Sequence, residues 1–284
     1  MKKFVILGCE NSHADSFLKQ MAAGNFPDLQ CVGAYSNEPD AMNRLQEKFG
    51  VPPMERPDSM VGQVDGVIVT ARNGIYHYEY AKPYIASGVP MFIDKPITCD
   101  PAEAVKLVEE CRANGVRLCG GSVVVLWSDL LRLKEFAEAN RQSILGGTVC
   151  APVKMDSIHS GFWFYAQHLV QMLTFLFGTP AAVTARREGM RVSTLFHYKD
   201  FTVAGLYVDA NAYHASVITK EESLALNIQP ETSAFCEELR CFERLMQGAP
   251  MERTYEELIE PVFIQEAILR SYTENRTVEV TYRA

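Results

Sequence analysis

One lysine is set apart by its neighbours as a group that could do chemistry. Residues 89–96 form an apolar run of strand type that ends in the charged pair Asp94-Lys95 and then Pro96. Proline lacks the backbone donor that a ladder needs, and it pushes the residue before it into extended geometry. Lys95 is therefore expected just beyond the carboxyl end of a buried strand, where open α/β sheets bind ligands. A second candidate is His168, which closes the aromatic-rich stretch 159–168 and is followed by an apolar helix-like run over 169–177 and Gly178. Tyr165 stands close by in sequence and offers a hydroxyl. Asp156, His159 and His168 are the residue types of a two-histidine, one-carboxylate metal site. Their spacing is common and no further ligand is evident, so no metal is expected.

The elements that must position these groups follow from the pattern. Residues 4–7 are all apolar, as in a strand covered on both faces. Residues 13–23 read as a helix with Ser12 as its cap. A strand over 29–35, a helix over 40–49 ended by Gly50, a strand over 65–70 and a helix over 76–87 closed by Gly88 come next. Strand 91–93 carries Lys95 at its end. Helix 101–114 has Asp100 as cap, Pro101 at its first position and Gly115 just past its end. Strand 116–119 completes the series. This strict alternation predicts a doubly wound parallel sheet, Rossmann-like in kind.

After Cys119 the pattern changes. A helix over 128–140 and strands over 145–155, 181–187, 194–198, 202–209, 217–219 and 224–228 predict an α+β domain with a mostly antiparallel, open sheet. Helices over 235–246 and 255–274 and a strand over 277–281 close the chain. The expected fold class is α/β with two domains, 1–120 for the dinucleotide and 121–284 for substrate and oligomerisation.

The first strand–turn–helix is where a dinucleotide fold places its glycines, so that the backbone can approach a pyrophosphate held on a helix amino end. Here the turn reads Gly8-Cys9-Glu10-Asn11-Ser12-His13. Gly8 is retained, while Glu10 and His13 stand where the other two glycines would be. A carboxylate beside a pyrophosphate is unfavourable unless it turns away or meets a ribose hydroxyl. Ser12 and His13 are able to donate to an anion. At the end of the second strand, Ser36 and Asn37 occupy the place of the acid that usually holds the ribose of NAD, which leans the choice between NAD and NADP toward NADP.

Asp94-Lys95-Pro96 resembles the Glu-Lys-Pro signature of the glucose–fructose oxidoreductase/inositol dehydrogenase (Gfo/Idh/MocA) family. Thr70-Ala71-Arg72-Asn73-Gly74-Ile75-Tyr76-His77 resembles that family's Thr-Pro-Asn-x-x-His element, with Asn73 and His77 in register and Arg72 in place of the proline. His168 matches the histidine of the family's Asp-x-x-x-His, with Phe164 where the aspartate would be. The closing helix and strand are also family-like. The resemblance implies an NAD(P)-dependent oxidoreductase acting on a sugar, a polyol or a related hydroxy compound. In this reading Asp94 holds Lys95, Lys95 polarises the substrate oxygen, and His168, aided by Tyr165, relays the proton. Thr70, Arg72, Asn73 and His77 line the cofactor, and a homodimer or homotetramer forms through the open sheet. The two replaced glycines and Phe164 point to an alternative, a non-catalytic or non-redox relative such as a ligand sensor, lyase or isomerase.

Composition limits the rest. The chain has 284 residues, 48% hydrophobic, with a net charge of −8. That is ample for a packed core in two domains. No basic block appears, so no nucleic-acid partner is expected. The eight cysteines include no Cys-x-x-Cys pair, and a reducing cytoplasm is the expected home. The start mimics a lipoprotein signal, but its apolar stretch falls well short of the roughly 7–15 residues such a segment needs. No run approaches the ~20 apolar residues of a membrane span.

Overall fold

The structure is a computed structural model that describes residues 1–282. It divides into two compact units. The first contains Met1–Gly121 and Ser233–Ile259, and the second contains Ser122–Thr232 and the chain from Glu260 onward.

In the first unit, β1 (Lys2–Leu7), β2 (Leu29–Tyr35), β3 (Gly66–Val69), β4 (Met91–Asp94) and β5 (Leu118–Gly121) form a parallel sheet in the order β2-β1-β3-β4-β5. Helices α1 (Ser12–Ala22), α2 (Pro39–Phe49), α3 (His77–Ile85) and α4 (Pro101–Ala113) connect them. Among the described residues the sheet continues beyond β2 only as a single parallel bridge between Ala34 and Pro53. Ala34 donates to the Pro52 carbonyl at 3.0 Å and accepts from Met54 at 2.8 Å. Pro52 and Pro53 supply no backbone donors, so the strand that would flank β2 in a dinucleotide fold shrinks to this one contact. The order reverses at β1 and β3, and their carboxyl ends lead into residues 8–13 and 70–74.

Local signals explain the start of α4. The Asp100 carboxylate accepts from the Ala102 and Glu103 amides at 2.7 and 3.4 Å, with Pro101 in the first turn. Ser12 is not the cap of α1. It is the first helical residue, and Asn11 holds the cap position without a side-chain bond to the helix.

Segment Ser233–Ile259 groups with the first unit, whereas the sequence reading placed all of 121–284 in the second domain. Helix α7 (Ala234–Met246) places Leu239, Phe242, Leu245 and Met246 in one buried cluster with Phe4, Phe17, Leu45 and Phe92. Burying each such side chain contributes roughly 1.5–3 kcal/mol. The apolar stripe of α7 therefore packs with the first sheet, although its sequence follows the second.

In the second unit, β6 (Ile144–Pro152), β7 (Ala182–Glu188), β8 (Arg191–His197), β9 (Thr202–Val208), β10 (His214–Thr219), β11 (Ser223–Asn227) and β12 (Val278–Glu279) form a sheet in the order β11-β10-β6-β9-β8-β7-β12. The pair β6–β9 is parallel and the rest are antiparallel. Strands β8 and β9 alternate strictly between buried and exposed residues. Helix α6 (Trp163–Phe177) has a long buried run, Ala166–Leu173, and packs on β6 and β9. Helix α5 (Ser128–Ala139) packs on α6, β10 and β11. Helix α8 (Tyr255–Glu274) begins in the first unit and ends in the second. Among the described residues no helix is long and apolar enough to cross a membrane.

Candidate active site

In the first unit, most of the residues singled out in the sequence meet at the carboxyl edge of the sheet. Gly8 adopts φ +82°, and a Cβ there would stand 2.2 Å from the backbone of Ala71. Only glycine lets the turn after β1 come this close to the end of β3. Thr70 is fully buried and its hydroxyl donates to the Gly8 carbonyl at 3.1 Å, which fixes the same approach.

Glu10 turns toward the end of β2. Its Oε2 accepts from the Ser36 hydroxyl at 2.7 Å and its Oε1 from the Arg72 amide at 2.8 Å. The Arg72 guanidinium donates to the Glu10 carbonyl and lies 3.8 Å from the Glu38 carboxylate. Ser36 also accepts from the Glu38 amide at 3.0 Å, and Asn37 accepts from the Tyr35 hydroxyl at 2.9 Å. Arg44, to which the sequence assigned no role, donates to the Cys9 carbonyl at 3.1 Å and pairs with Asp15 at 3.0 Å.

Asp94 is fully buried and organises the end of β4. One oxygen accepts from the Lys95 amide at 2.7 Å, and the other accepts from the Asn11 side-chain amide at 3.0 Å. Lys95 is itself buried, and its bond to Pro96 is cis. Asn73 caps the short 3-10 turn Gly74–Tyr76 by accepting from Ile75 at 3.4 Å.

His77 is fully buried. Its Nδ1 lies 2.7 Å from the Pro96 carbonyl and its Nε2 2.8 Å from the Ala71 carbonyl. It braces the loops after β3 and β4 against each other, and burial pushes it below the ordinary histidine range.

His13 is not placed to meet an anion from solvent, which corrects the sequence reading. It is buried under the turn, with Nδ1 3.4 Å from Asp94 and Nε2 3.6 Å from Glu238 of α7. Burial lowers its pKa, and burial together with Asp94 holds Glu238 well above the carboxylate range. Sequence reasoning missed Glu238. A lone glutamate on the apolar-striped helix α7 was the available signal.

In the second unit, His168 sits buried on α6. Its Nδ1 is 2.6 Å from the Ser122 hydroxyl, and the Ser122 amide donates to Gln171 Oε1 one turn along the helix. Tyr165 packs edge-on against the imidazole at 5.2 Å, and Tyr213 lies at 6.1 Å. Phe164 packs between His159 and Tyr165. Ser122 and Gln171 were missed as well. The polar Ser122 ahead of an apolar run, and the three-residue spacing of Gln171 from His168, are the signals that could have found them.

The turn around Gly8 also suits a dinucleotide. The amino end of α1 carries no side-chain cap, which leaves its donors for an anion, and Gly8 keeps the backbone close.

Residues 2–122 match the model of an oxidoreductase family described by its NAD-binding Rossmann fold, Gfo/Idh/MocA. Over this region the chain is similar to that family. No curated protein matches the chain by sequence. Among solved structures, GenD2 from gentamicin A biosynthesis in complex with NAD is similar at TM-score 0.86 and 18% identity, covering 99% of this chain and 96% of that one. Myo-inositol 2-dehydrogenase from Lactobacillus plantarum gives TM-score 0.85 at 12% identity, covering 99% of both chains. A myo-inositol dehydrogenase from Corynebacterium glutamicum gives TM-score 0.83 at 15% identity, again over 99% of both. At these identities the likeness is one of fold.

Proposed function

We propose that this chain is an NAD(P)-dependent oxidoreductase that moves a hydride between nicotinamide and the carbinol carbon of a sugar, a polyol or a related hydroxy compound. The observation that carries the reading is Lys95. It is a buried lysine at the carboxyl end of β4, set by the Asp94 carboxylate on its own amide. Inositol dehydrogenases among the similar structures support the substrate class.

A bound nicotinamide supplies or accepts the hydride. The chain's own residues orient and move the proton. Residues 8–12 and the amino end of α1 hold the pyrophosphate, and Thr70, Arg72, Asn73 and His77 shape the wall beside it. Lys95 polarises the substrate oxygen as the carbon changes between sp3 and sp2 hybridisation with hydride loss or gain. In the second unit the acid/base candidate is His168, held by Ser122 through Nδ1, with Tyr165 beside it. A positioned acid/base of this kind contributes about 10²–10⁴-fold.

The end of β2 lacks an acid, which supports NADP, whereas the position of Glu10 supports NAD. The outer sheet face of the second unit exposes Leu195, Leu206 and Ile218 and supports assembly as a homodimer or homotetramer. Buried thiols such as Cys9 and Cys111, both pushed up to about 12 by burial, suit a reducing cytoplasm. Phe164 in place of the family's aspartate favours one second reading, a relative that binds ligand without redox turnover.

Titration with NADH and NADPH, followed by a sugar and polyol screen of the wild type and Lys95→Ala, tests the proposal. Binding of at least one dinucleotide and loss of turnover in the variant are expected. Full turnover in Lys95→Ala would overturn the assignment of Lys95.

A further inference from the structure

We propose that Glu10 is the residue that selects the adenine ribose, and that it selects NAD over NADP. The inference rests on the reading that the chain binds a nicotinamide dinucleotide. In this fold a carboxylate at the end of the second strand accepts the ribose hydroxyl. Ser36 and Asn37 stand there and neither is acidic. The fold brings a carboxylate to that place from the preceding turn, because Ser36 donates to Glu10 Oε2 at 2.7 Å.

The carboxylate is well fixed. Oε1 is held by the Arg72 amide at 2.8 Å, and the Glu10 carbonyl is held by the Arg72 guanidinium. An ionised carboxylate offers about four acceptor positions, and these two bonds use two of them. The remaining positions suit a vicinal diol, which presents two donors. A phosphate ester on the same ribose presents no donor and carries about −1.5 to −2 charges, so it meets the carboxylate with repulsion. Arg72 is the cation that would favour the phosphate. Its guanidinium is turned to the Glu10 carbonyl and lies 3.8 Å from the Glu38 carboxylate, which shares its charge.

This arrangement also explains how a glutamate is tolerated where the fingerprint has its second glycine. The side chain points to β2 and not to the pyrophosphate, and Ser36, which is buried, is the partner that holds it there.

The test is a fluorescence titration of the full chain with NADH and NADPH, repeated with Glu10→Gln and at increasing salt. The wild type is expected to bind NADH at least about tenfold more tightly than NADPH, because like-charge juxtaposition exceeds that factor. Glu10→Gln keeps the size and removes the charge, and it is expected to bring the ratio close to one, mainly through tighter NADPH binding. In the wild type alone the ratio is expected to shrink as salt screens the repulsion, a measurement that holds even if the variant does not fold. Equal or tighter binding of NADPH by the wild type overturns the selection by Glu10 while leaving the dinucleotide reading intact, as does an unchanged ratio in a folded Glu10→Gln. Binding of neither dinucleotide overturns both.

Discussion

The side-chain amide of Asn11 donates to Asp94 Oδ2 at 3.0 Å, tying the turn after β1 to the strand end that carries Lys95. The other Asp94 oxygen takes the Lys95 amide, so one carboxylate sets both the cofactor turn and the lysine. Asp94→Asn keeps one acceptor oxygen and turns an NH2 toward the other of the two donors. It is expected to cost about 1–3 kcal/mol in thermal unfolding. A misplaced Lys95 should lower turnover by about 10²-fold. Unchanged melting and steady-state kinetics would remove Asp94 from this role.

Gly8 and Gly24 share φ +82°, but only Gly8 has backbone against it, and nothing lies within 4 Å of a Cβ at Gly24. Gly24→Ala should show the conformational cost alone, on the order of 1–3 kcal/mol. Gly8→Ala adds an overlap with Ala71 and should be clearly more destabilising in urea titrations. Equal midpoints for the two variants would mean that Ala71 moves aside freely.

Glu238 is faced by His13, Asp94, Lys95, Arg253 and Cys241, and burial keeps its proton on well above the ordinary carboxylate range. The folded chain therefore holds a proton that the unfolded chain has released. The stability this group contributes is full below the unfolded value and is lost as pH rises through the raised one, at about 1.4 kcal/mol per pH unit. His13 has the opposite sign, since its lowered pKa makes stability rise with pH up to the ordinary histidine value. Glu238→Gln should flatten the alkaline decline in urea-unfolding free energy and match the wild type in acid. A variant that keeps the wild-type alkaline slope would show that the decline has another source.

His77 joins the carbonyls of Ala71 and Pro96 from a fully buried position. His77→Ala leaves a cavity and a carbonyl without its donor, at about 1–3 kcal/mol for the polar group alone. The melting temperature should fall and amide exchange in residues 70–77 should quicken. Exchange that speeds up only elsewhere would contradict the bracing role.

Ser122 holds His168 by Nδ1 at 2.6 Å. Ser122→Ala should lower kcat by about tenfold or more with little change in KM, and shift the pH profile of kcat, as expected when an acid/base loses its orienting partner. A rise in KM with an unaltered pH profile would instead assign Ser122 to ground-state binding.

The residues legible in the sequence are those whose position depends on near neighbours. Alternating apolar runs gave the parallel sheet, because strand and helix periods are local. Asp100, Pro101 and Gly115 marked α4 for the same reason. Pro96 after a strand placed Lys95 at a sheet edge without any long-range contact. The boundary of α1 was less clear, since Asn11 and Ser12 are both good capping types and the pull of Asp94 on Asn11 lies outside the local chain.

What only the tertiary structure decided are the pairings between distant segments. A glutamate in the first turn reads as a fault in the fingerprint until Ser36 and Arg72 are seen to hold it. His13 reads as an anion donor until Asp94 and Glu238 are found on either side of it. Helix α7 follows the second sheet in sequence, yet Phe242 and Leu239 bury with Phe4 and Phe17. Side-chain burial and hydrogen bonding are set by which surfaces meet, and composition alone does not select among the many surfaces able to meet. The sequence determined the elements and the carboxyl edge of the sheet, and packing determined which charges share it.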